Sequence, residues 1–124
     1  PDMSITQTLR DIMPMDVAKE LTFTGRILNG EQAKEVGLVT RVADDPFAEA
    51  MALAEEIAGK NPDAVRAGKA LYEQAWHADA RTGLELEAAL QAELIGTANQ
   101  IEAVKANFEK RAPSFQPASR TARV

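Results

Sequence analysis

The sequence contains no cysteine, few aromatic residues and no long apolar run, and each absence narrows what the chain can be. Without cysteine there is no disulfide framework, thiolate metal site or cysteine nucleophile, and a reducing compartment suits the chain, so we expect a cytoplasmic protein. Aromatic residues make up 5% of the 124 positions, so alanine, leucine, valine and isoleucine must build any core. This composition favours helices over sheet.

Charge and hydropathy exclude two further classes of protein. The net charge is −5, and no basic patch is dense enough to follow a phosphate backbone, so we predict no nucleic-acid partner. No apolar run approaches the roughly 18 residues that a membrane span needs, and no secretory signal is visible. His77 is the only histidine. Because it lacks the partners of a metal cluster or a Ser-His-Asp arrangement, we predict a surface or helix-end role and no metal site.

One stretch in the first third of the chain carries the clearest local signals. Gly25 can end a helix in the left-handed conformation that other residues adopt at a cost. Asn29 can accept N–H bonds at the start of the next helix, with Gln32 as its reciprocal partner. Gly37 ends that helix, and the apolar, β-branched run at 38–42 predicts a short buried strand.

Apolar residues at helical spacing predict helices elsewhere, most of them opened by a capping side chain or a proline. On the helix that follows Asn61, we expect a packed face that includes Tyr72 and Trp76. The helix that follows Thr82 is apolar over a wide face, which predicts burial on two sides. The predicted helices begin near Thr6, Met15, Gly30, Pro46, Pro62, Thr82 and Thr97. With one or two short strands, the chain is predicted to be mainly α.

Four short motifs resemble those of the crotonase superfamily, the enoyl-CoA hydratase/isomerase family, and they occur in the same order. They cover nearly the whole chain. The motifs are the Leu-Thr-Phe-Thr-Gly run 21–25, the Ala-x-x-x-Gly-Leu-Val run 33–39, Asn61-Pro62 followed by Lys69, and Glu102 followed by Phe108-Glu109-Lys110-Arg111 with Pro113 and Phe115.

The resemblance implies a fold and a division of the chain. The family has an α/β spiral core (the ClpP/crotonase fold) and a C-terminal helical part, and this chain is similar to the latter. Residues 1–45 would be the end of the core, 46–112 the helical trimerisation domain, and 113–124 an irregular tail. Because the chain opens without an initiator methionine and family subunits are longer, we expect it to be a C-terminal portion.

The resemblance also implies an activity, which is hydration or double-bond isomerisation of an enoyl-CoA thioester. The substrate would be a coenzyme A thioester, with no covalently bound cofactor, and the partner would be a second copy, in a trimer or a dimer of trimers. In such enzymes the half of the subunit that this chain lacks supplies the oxyanion-hole donors. We therefore expect the chain alone to be inactive. The alternative is a non-catalytic helical association module or an inactive truncated paralogue.

Asp2 is the catalytic residue that the resemblance implies. In some family members an acid at this place, in a loop leading to an active-site helix, moves a proton on the acyl-CoA. A buried carboxylate with a raised pKa can act as general base and then as acid. The family usually has glycines next, whereas this chain has Met3-Ser4-Ile5. On its own, an aspartate after a proline is typical of a turn.

Lys110 is the residue that the resemblance implies for coenzyme A binding. The last helix of the family can place a lysine and an aromatic residue near the adenosine phosphate, often on a neighbouring subunit. Lys110 matches the lysine, but the aromatic position falls on Asn107, with Phe108 one residue later. On its own, Lys110 is typical of a favourable cation at a helix C-terminus.

Overall fold

The computed structural model describes residues 4–119, which form seven helices joined by irregular segments and contain no strand. The mainly α class is thereby confirmed. Within these residues, none of the helices combines the length and apolar character needed to cross a membrane. The chain divides between Glu49 and Ala50 into two compact units. The helices are α1 (Ile5–Thr8), α2 (Met15–Thr24), α3 (Gly30–Glu35), α4 (Pro46–Ala58), α5 (Pro62–Ala75), α6 (Ala80–Leu94) and α7 (Ala98–Phe108).

The helix boundaries of the first unit follow its capping residues. Gly25 ends α2 with a φ of 60°, and its N–H donates to the Leu21 carbonyl at 3.0 Å. The Asn29 side chain accepts from the Gln32 N–H at 2.9 Å, while the Gln32 side chain accepts from the Asn29 N–H at 3.0 Å. This reciprocal pair is a capping box, so the predicted start of α3 is confirmed.

Position 37 requires glycine because of both its backbone conformation and its surroundings. Its φ is 82°, in the left-handed region that disfavours residues with a side chain. A Cβ added there would lie 2.6 Å from the backbone oxygen of Ile12, which is well inside contact distance. Gly37 therefore ends the turn after α3 and also permits a close approach between two backbone segments of the first unit.

The strand predicted at 38–42 is wrong, because these residues are irregular. A strand is stable only when its backbone groups pair with a second extended segment, and no such pairing occurs between residues 4 and 119. The Leu38 N–H instead donates to the Ala33 carbonyl at 2.8 Å, which completes the end of α3. Val42 packs beside Gly30, with Cγ1 3.1 Å from the position of an added Cβ.

Helix α4 begins where the sequence predicts, since Asp45 accepts from the Ala48 N–H at 3.0 Å. Its apolar stripe is nevertheless uncovered. No residue of α4 is buried, and Phe47, near its start, is 75% exposed. Helical spacing of apolar residues thus predicts the helix correctly, but not the burial of its apolar face in this chain.

In the second unit, α5 packs against α6 and α7 through small side chains. Ala67 and Ala70 on α5 and Ala106 on α7 are buried, because alanine allows helices to approach closely. The predicted packed face of α5 is wrong: Tyr72 and Trp76 are each 65% exposed. Their rings lie 5.8 Å apart and contact each other on the outside of the helix.

The N-cap of helix α6 lies three residues earlier than predicted. Asp79, not Thr82, is the N-cap, and it accepts from the Arg81 and Thr82 N–H groups at 3.0 and 3.1 Å. The Thr82 hydroxyl donates to the same carboxylate, and these bonds lower the pKa of Asp79. No residue of α6 is buried, so the predicted burial on two sides is wrong for this chain.

Candidate functional site

The end of α7 carries the one predicted site residue that the structure describes, Lys110. The Lys110 N–H donates to the Asn107 carbonyl at 3.3 Å, and the Arg111 N–H donates to the Ala106 carbonyl at 3.0 Å. This pattern is the Schellman helix ending, whose left-handed position usually holds glycine. Lys110 takes that position with a φ of 52°, a conformation that costs a residue with a side chain about 1–2 kcal/mol.

Glu102 and Arg111 form a bidentate ion pair beside this helix ending. The two guanidinium nitrogens Nη1 and Nη2 lie 2.5 and 2.9 Å from the two carboxylate oxygens of Glu102. Glu109 accepts from Nε of Arg111 at 2.6 Å. The Glu102 side chain is 20% exposed and also accepts from the Ser114 N–H at 2.7 Å. One carboxylate thus fixes both the residue after Lys110 and the tail.

This arrangement changes the protonation behaviour of both partners. The hydrogen bonds from Arg111, followed by that from the Ser114 N–H, lower the pKa of Glu102 from 4.5 to about 2. The bonds to Glu102 and Glu109 raise the pKa of Arg111. The Glu102 carboxylate and the Arg111 guanidinium are therefore charged throughout the neutral range, so the geometry is that of a permanent ion pair.

Asn99 and Asp63 hold the tail at two further points. The buried Asn99, 4% exposed, donates to Asp63 at 2.7 Å and to the Gln116 carbonyl at 3.1 Å, and it accepts from the Gln116 N–H at 2.8 Å. Asp63 in turn accepts from the N–H and hydroxyl of Ser119 at 2.7 and 3.1 Å. The bond from Asn99, ahead of those from Ser119, lowers the pKa of Asp63.

We call Asp63, Asn99 and Glu102 the tail anchor. Its hydrogen bonds hold the described part of the tail, which is irregular, in place. Neither Asn99 nor Asp63 was predicted from the sequence to be important. A signal was available, because Asn99, Glu102 and Ala106 lie three and four residues apart and hence on one face of α7. The tail residues that bind Glu102, Asn99 and Asp63 lie 12 to 56 positions away from them, and no local pattern specifies those partners.

The other candidate residues form no second site within residues 4–119. Asp2 lies outside the described residues. Lys69 pairs with Glu73 at 3.7 Å, and its side chain is 74% exposed, so it does not pack against the helix. No group of three or more histidine, aspartate and glutamate side chains in the described part of the chain could hold a metal ion.

A groove in the first unit offers a different kind of surface. It lies between α1 and α2, has a volume of about 500 Å³, and its lining includes Leu9, Met13, Met15 and Phe23. Met13 is buried, whereas Met15 and Phe23 are 71% and 80% exposed. Methionine side chains adapt to irregular apolar shapes. The groove therefore suits an aliphatic group or another apolar side chain, and it provides no acid–base pair.

Comparison with known proteins shows which protein family has this helical arrangement. Residues 1–118 match the family model of enoyl-CoA hydratase/isomerase. The chain belongs to the enoyl-CoA hydratase/isomerase family. The crotonase resemblance of the four motifs is thereby confirmed. A mouse relative, enoyl-CoA hydratase domain-containing protein 2, mitochondrial, is 39% identical over 121 residues, covering 93% of this chain and 41% of its own.

Two further comparisons agree with this assignment. Human methylglutaconyl-CoA hydratase, mitochondrial, is 37% identical over 117 residues, which cover 90% of this chain and 34% of that protein. The crystal structure of an enoyl-CoA hydratase from Bacillus anthracis superimposes with a TM-score of 0.82 at 36% identity, covering 89% of this chain and 43% of that one. The chain thus spans about a third to two fifths of the length of these family members. Its helices match the helical C-terminal part of the crotonase fold.

Proposed function

We propose that the protein acts in the hydration or double-bond isomerisation of enoyl-CoA thioesters. The family match over residues 1–118, with the shared backbone course, supports the proposal. Of the named relatives, one is a methylglutaconyl-CoA hydratase and one contains an enoyl-CoA hydratase domain. The substrate is therefore a coenzyme A thioester, and no covalently bound cofactor takes part.

The proposed division of labour leaves this chain inactive by itself. Polarising a thioester carbonyl requires N–H donors directed at the developing oxyanion, and in the family these come from the part of the subunit that this chain does not match. The test is to incubate crotonyl-CoA in ¹⁸O-labelled water with the 124-residue chain and with a whole family subunit that ends in this sequence. We expect labelled hydroxyacyl-CoA from the second sample only. Product from the 124-residue chain alone would contradict its proposed inactivity. Product from neither sample would contradict a hydratase activity.

Lys110 is proposed to bind the adenosine phosphate of coenzyme A. Its side chain is exposed, it is cationic, and its backbone is fixed by the helix ending. Lys110→Ala should raise the dissociation constant for coenzyme A about fivefold, the value of one exposed charge pair. The matched control is Lys60→Ala, which removes a lysine from an exposed pair with Glu56 on another helix. An equal rise of the dissociation constant in Lys110→Ala and Lys60→Ala would contradict the binding role of Lys110.

Asp2 is proposed to move the proton on the acyl group. In the whole subunit, Asp2→Asn should lower kcat by a factor on the order of 10²–10⁴, as for other positioned acid–base groups, with little change in KM. Asp16→Asn, in the first turn of α2, is the control for loss of one carboxylate. Retention of kcat in Asp2→Asn would show that another group carries the proton.

Self-association is proposed as well, as a trimer or a dimer of trimers. Large apolar side chains are exposed in both units, including Phe23, Ile27, Phe47 and Phe108 at 75–92%, and surfaces of this kind mark interfaces. The same observation favours the second candidate, a non-catalytic association module. Sedimentation velocity should find oligomers. A strictly monomeric species at high concentration would contradict both the proposed self-association and the association module. Cytoplasmic location remains our proposal, although the mouse and human relatives are named as mitochondrial.

A further inference from the structure

The conformation of Lys110 conflicts with its local preference, and this conflict needs a cause. The left-handed position of a Schellman ending is normally taken by glycine, yet a lysine stands here with a φ of 52°. Gly25 and Gly96 take left-handed positions after α2 and α6, with φ values of 60° and 83°. Strained backbone of this kind persists only where the surroundings over-determine it.

The surroundings that hold Lys110 are the bonds of its neighbour, Arg111. The Arg111 N–H closes the helix ending on Ala106 at 3.0 Å. Its guanidinium is held on one side by both oxygens of Glu102, at 2.5 and 2.9 Å, and on another by Glu109 at 2.6 Å. A bidentate pair fixes the plane of the guanidinium as well as its position. With Arg111 fixed at both its backbone and its side chain, the peptide between residues 110 and 111 has little freedom.

We propose that Glu102 is a positioning residue for coenzyme A binding, and that it acts by fixing Arg111 so that Lys110 stays left-handed and directed at the adenosine phosphate. This inference rests on the proposed role of Lys110. It adds a residue that does not touch the ligand. It also gives the Glu102–Arg111 pair a purpose beyond anchoring the tail.

The deciding measurement is the affinity ratio between coenzyme A and 3′-dephospho-coenzyme A, which differ in the one phosphate that Lys110 is proposed to bind. Isothermal titration of the unchanged chain should give a ratio of about five, and Lys110→Ala should reduce it to about one. Glu102→Gln keeps the shape of the side chain but removes its charge, and it should reduce the ratio to about two. Glu85→Gln, which breaks the similar pair with Arg81, should leave the ratio unchanged.

A second variant separates positioning from anchoring. Ser114→Pro removes the N–H that donates to Glu102 from the tail but leaves the pair with Arg111 intact, so the ratio should stay near five. An affinity ratio near one in Ser114→Pro would mean that the tail, and not Arg111, positions Lys110. That result would overturn the inference. Glu102→Asp retains the charge on a shorter side chain and should restore part of the ratio that Glu102→Gln loses.

The possible failures are distinguishable. If the unchanged chain binds both nucleotides equally, the role of Lys110 and the inference fail together. If Lys110→Ala abolishes the preference while Glu102→Gln keeps it, only the positioning role fails. Should Glu102→Gln not fold, the melting temperature of Lys110→Gly tests the strain at residue 110 instead. Since glycine suits the left-handed position, that variant should melt at the same or a higher temperature than the unchanged chain. A lower melting temperature would show that Lys110 is not strained and would overturn the inference.

Discussion

The two units of the chain are stabilised over different sequence distances. In the first, side-chain bonds that define the structure are local: Asn29 pairs with Gln32, and Arg26 pairs with Glu20. In the second, the tail anchor joins residues up to 56 positions apart. Local bonds define where helices begin and end, whereas distant bonds define which segments lie together. The first unit therefore depends on its turns, and the second on its tertiary polar contacts.

The largest loss of stability is expected at the close approach between Gly37 and Ile12 in the first unit, and measuring it tests the contrast between the two units. Gly37→Ala places a Cβ 2.6 Å from the Ile12 oxygen at a φ of 82°. The strain and the forced backbone shift should destabilise the unit by about 2–4 kcal/mol. Gly25→Ala is the control, because its φ is 60° and nothing lies within 4 Å of an added Cβ. It should cost about 1 kcal/mol.

Amide hydrogen exchange can follow this change at residues of α3, which belong to the first unit. We expect loss of protection there in Gly37→Ala and no change at α5 and α7. Equal costs for the two glycine variants would mean that the close approach to Ile12 does not contribute to stability.

The next largest effect is expected at the tail anchor. Asn99→Ala removes three part-buried hydrogen bonds and leaves polar groups of Asp63 and Gln116 without those partners. It should destabilise the second unit by about 2–3 kcal/mol. Urea unfolding can be followed through the fluorescence of Trp76, the only tryptophan of the chain, which lies in this unit. Asn107→Ala, at an exposed position on the same helix, should change stability by less than about 0.5 kcal/mol.

A smaller effect is expected at the capping box. Asn29→Ala leaves the Gln32 N–H at the start of α3 without its acceptor and should cost about 1 kcal/mol. Hydrogen exchange should show fraying confined to α3, while the second unit stays unchanged. If protection also fell around the tail anchor, the two units would not be independent, and the contrast between local and distant stabilisation would need revision.

The smallest loss of stability at neutral pH is expected at Glu102 of the tail anchor, and its size depends on pH. Glu102 has its pKa lowered from 4.5 to about 2, so its charged form stabilises the folded state. That contribution is fully present above about pH 4.5 and is lost as the pH falls toward about 2. Glu102→Gln should therefore melt below the unchanged chain at pH 7, and the difference should close over this acid range. A difference independent of pH would contradict the charged pair.

Much of the local structure could be predicted, because its causes lie within a few residues. Gly25 and the Asn29–Gln32 pair define helix boundaries through bonds to near neighbours, and both were predicted correctly, as was the start of α4 near Pro46. The start of α6 was missed because Thr82 and Asp79 are both acceptable caps. The choice of Asp79 depends on the last turn of α5 ending early enough to leave it extended.

Burial was predicted poorly, and for a definite reason. Periodicity identifies the apolar face of a helix but not whether another segment of the same chain covers it. Tyr72 and Trp76 form the larger apolar surface of α5, yet Ala67 and Ala70 pack against the neighbouring helices. The strand at 38–42 was wrong for the same reason, since a strand requires a partner that residues 4–119 do not provide.

The sequence by itself determined the family, the mainly helical character and most helix ends, because these depend on motifs and caps that are read locally. Only the tertiary structure revealed the tail anchor and the left-handed Lys110, since Asp63, Asn99 and Glu102 are brought to the tail by the packing of α5 with α7. Hydrogen bonds between residues 17 to 56 positions apart follow from how helices pack, and no spacing within one helix encodes them.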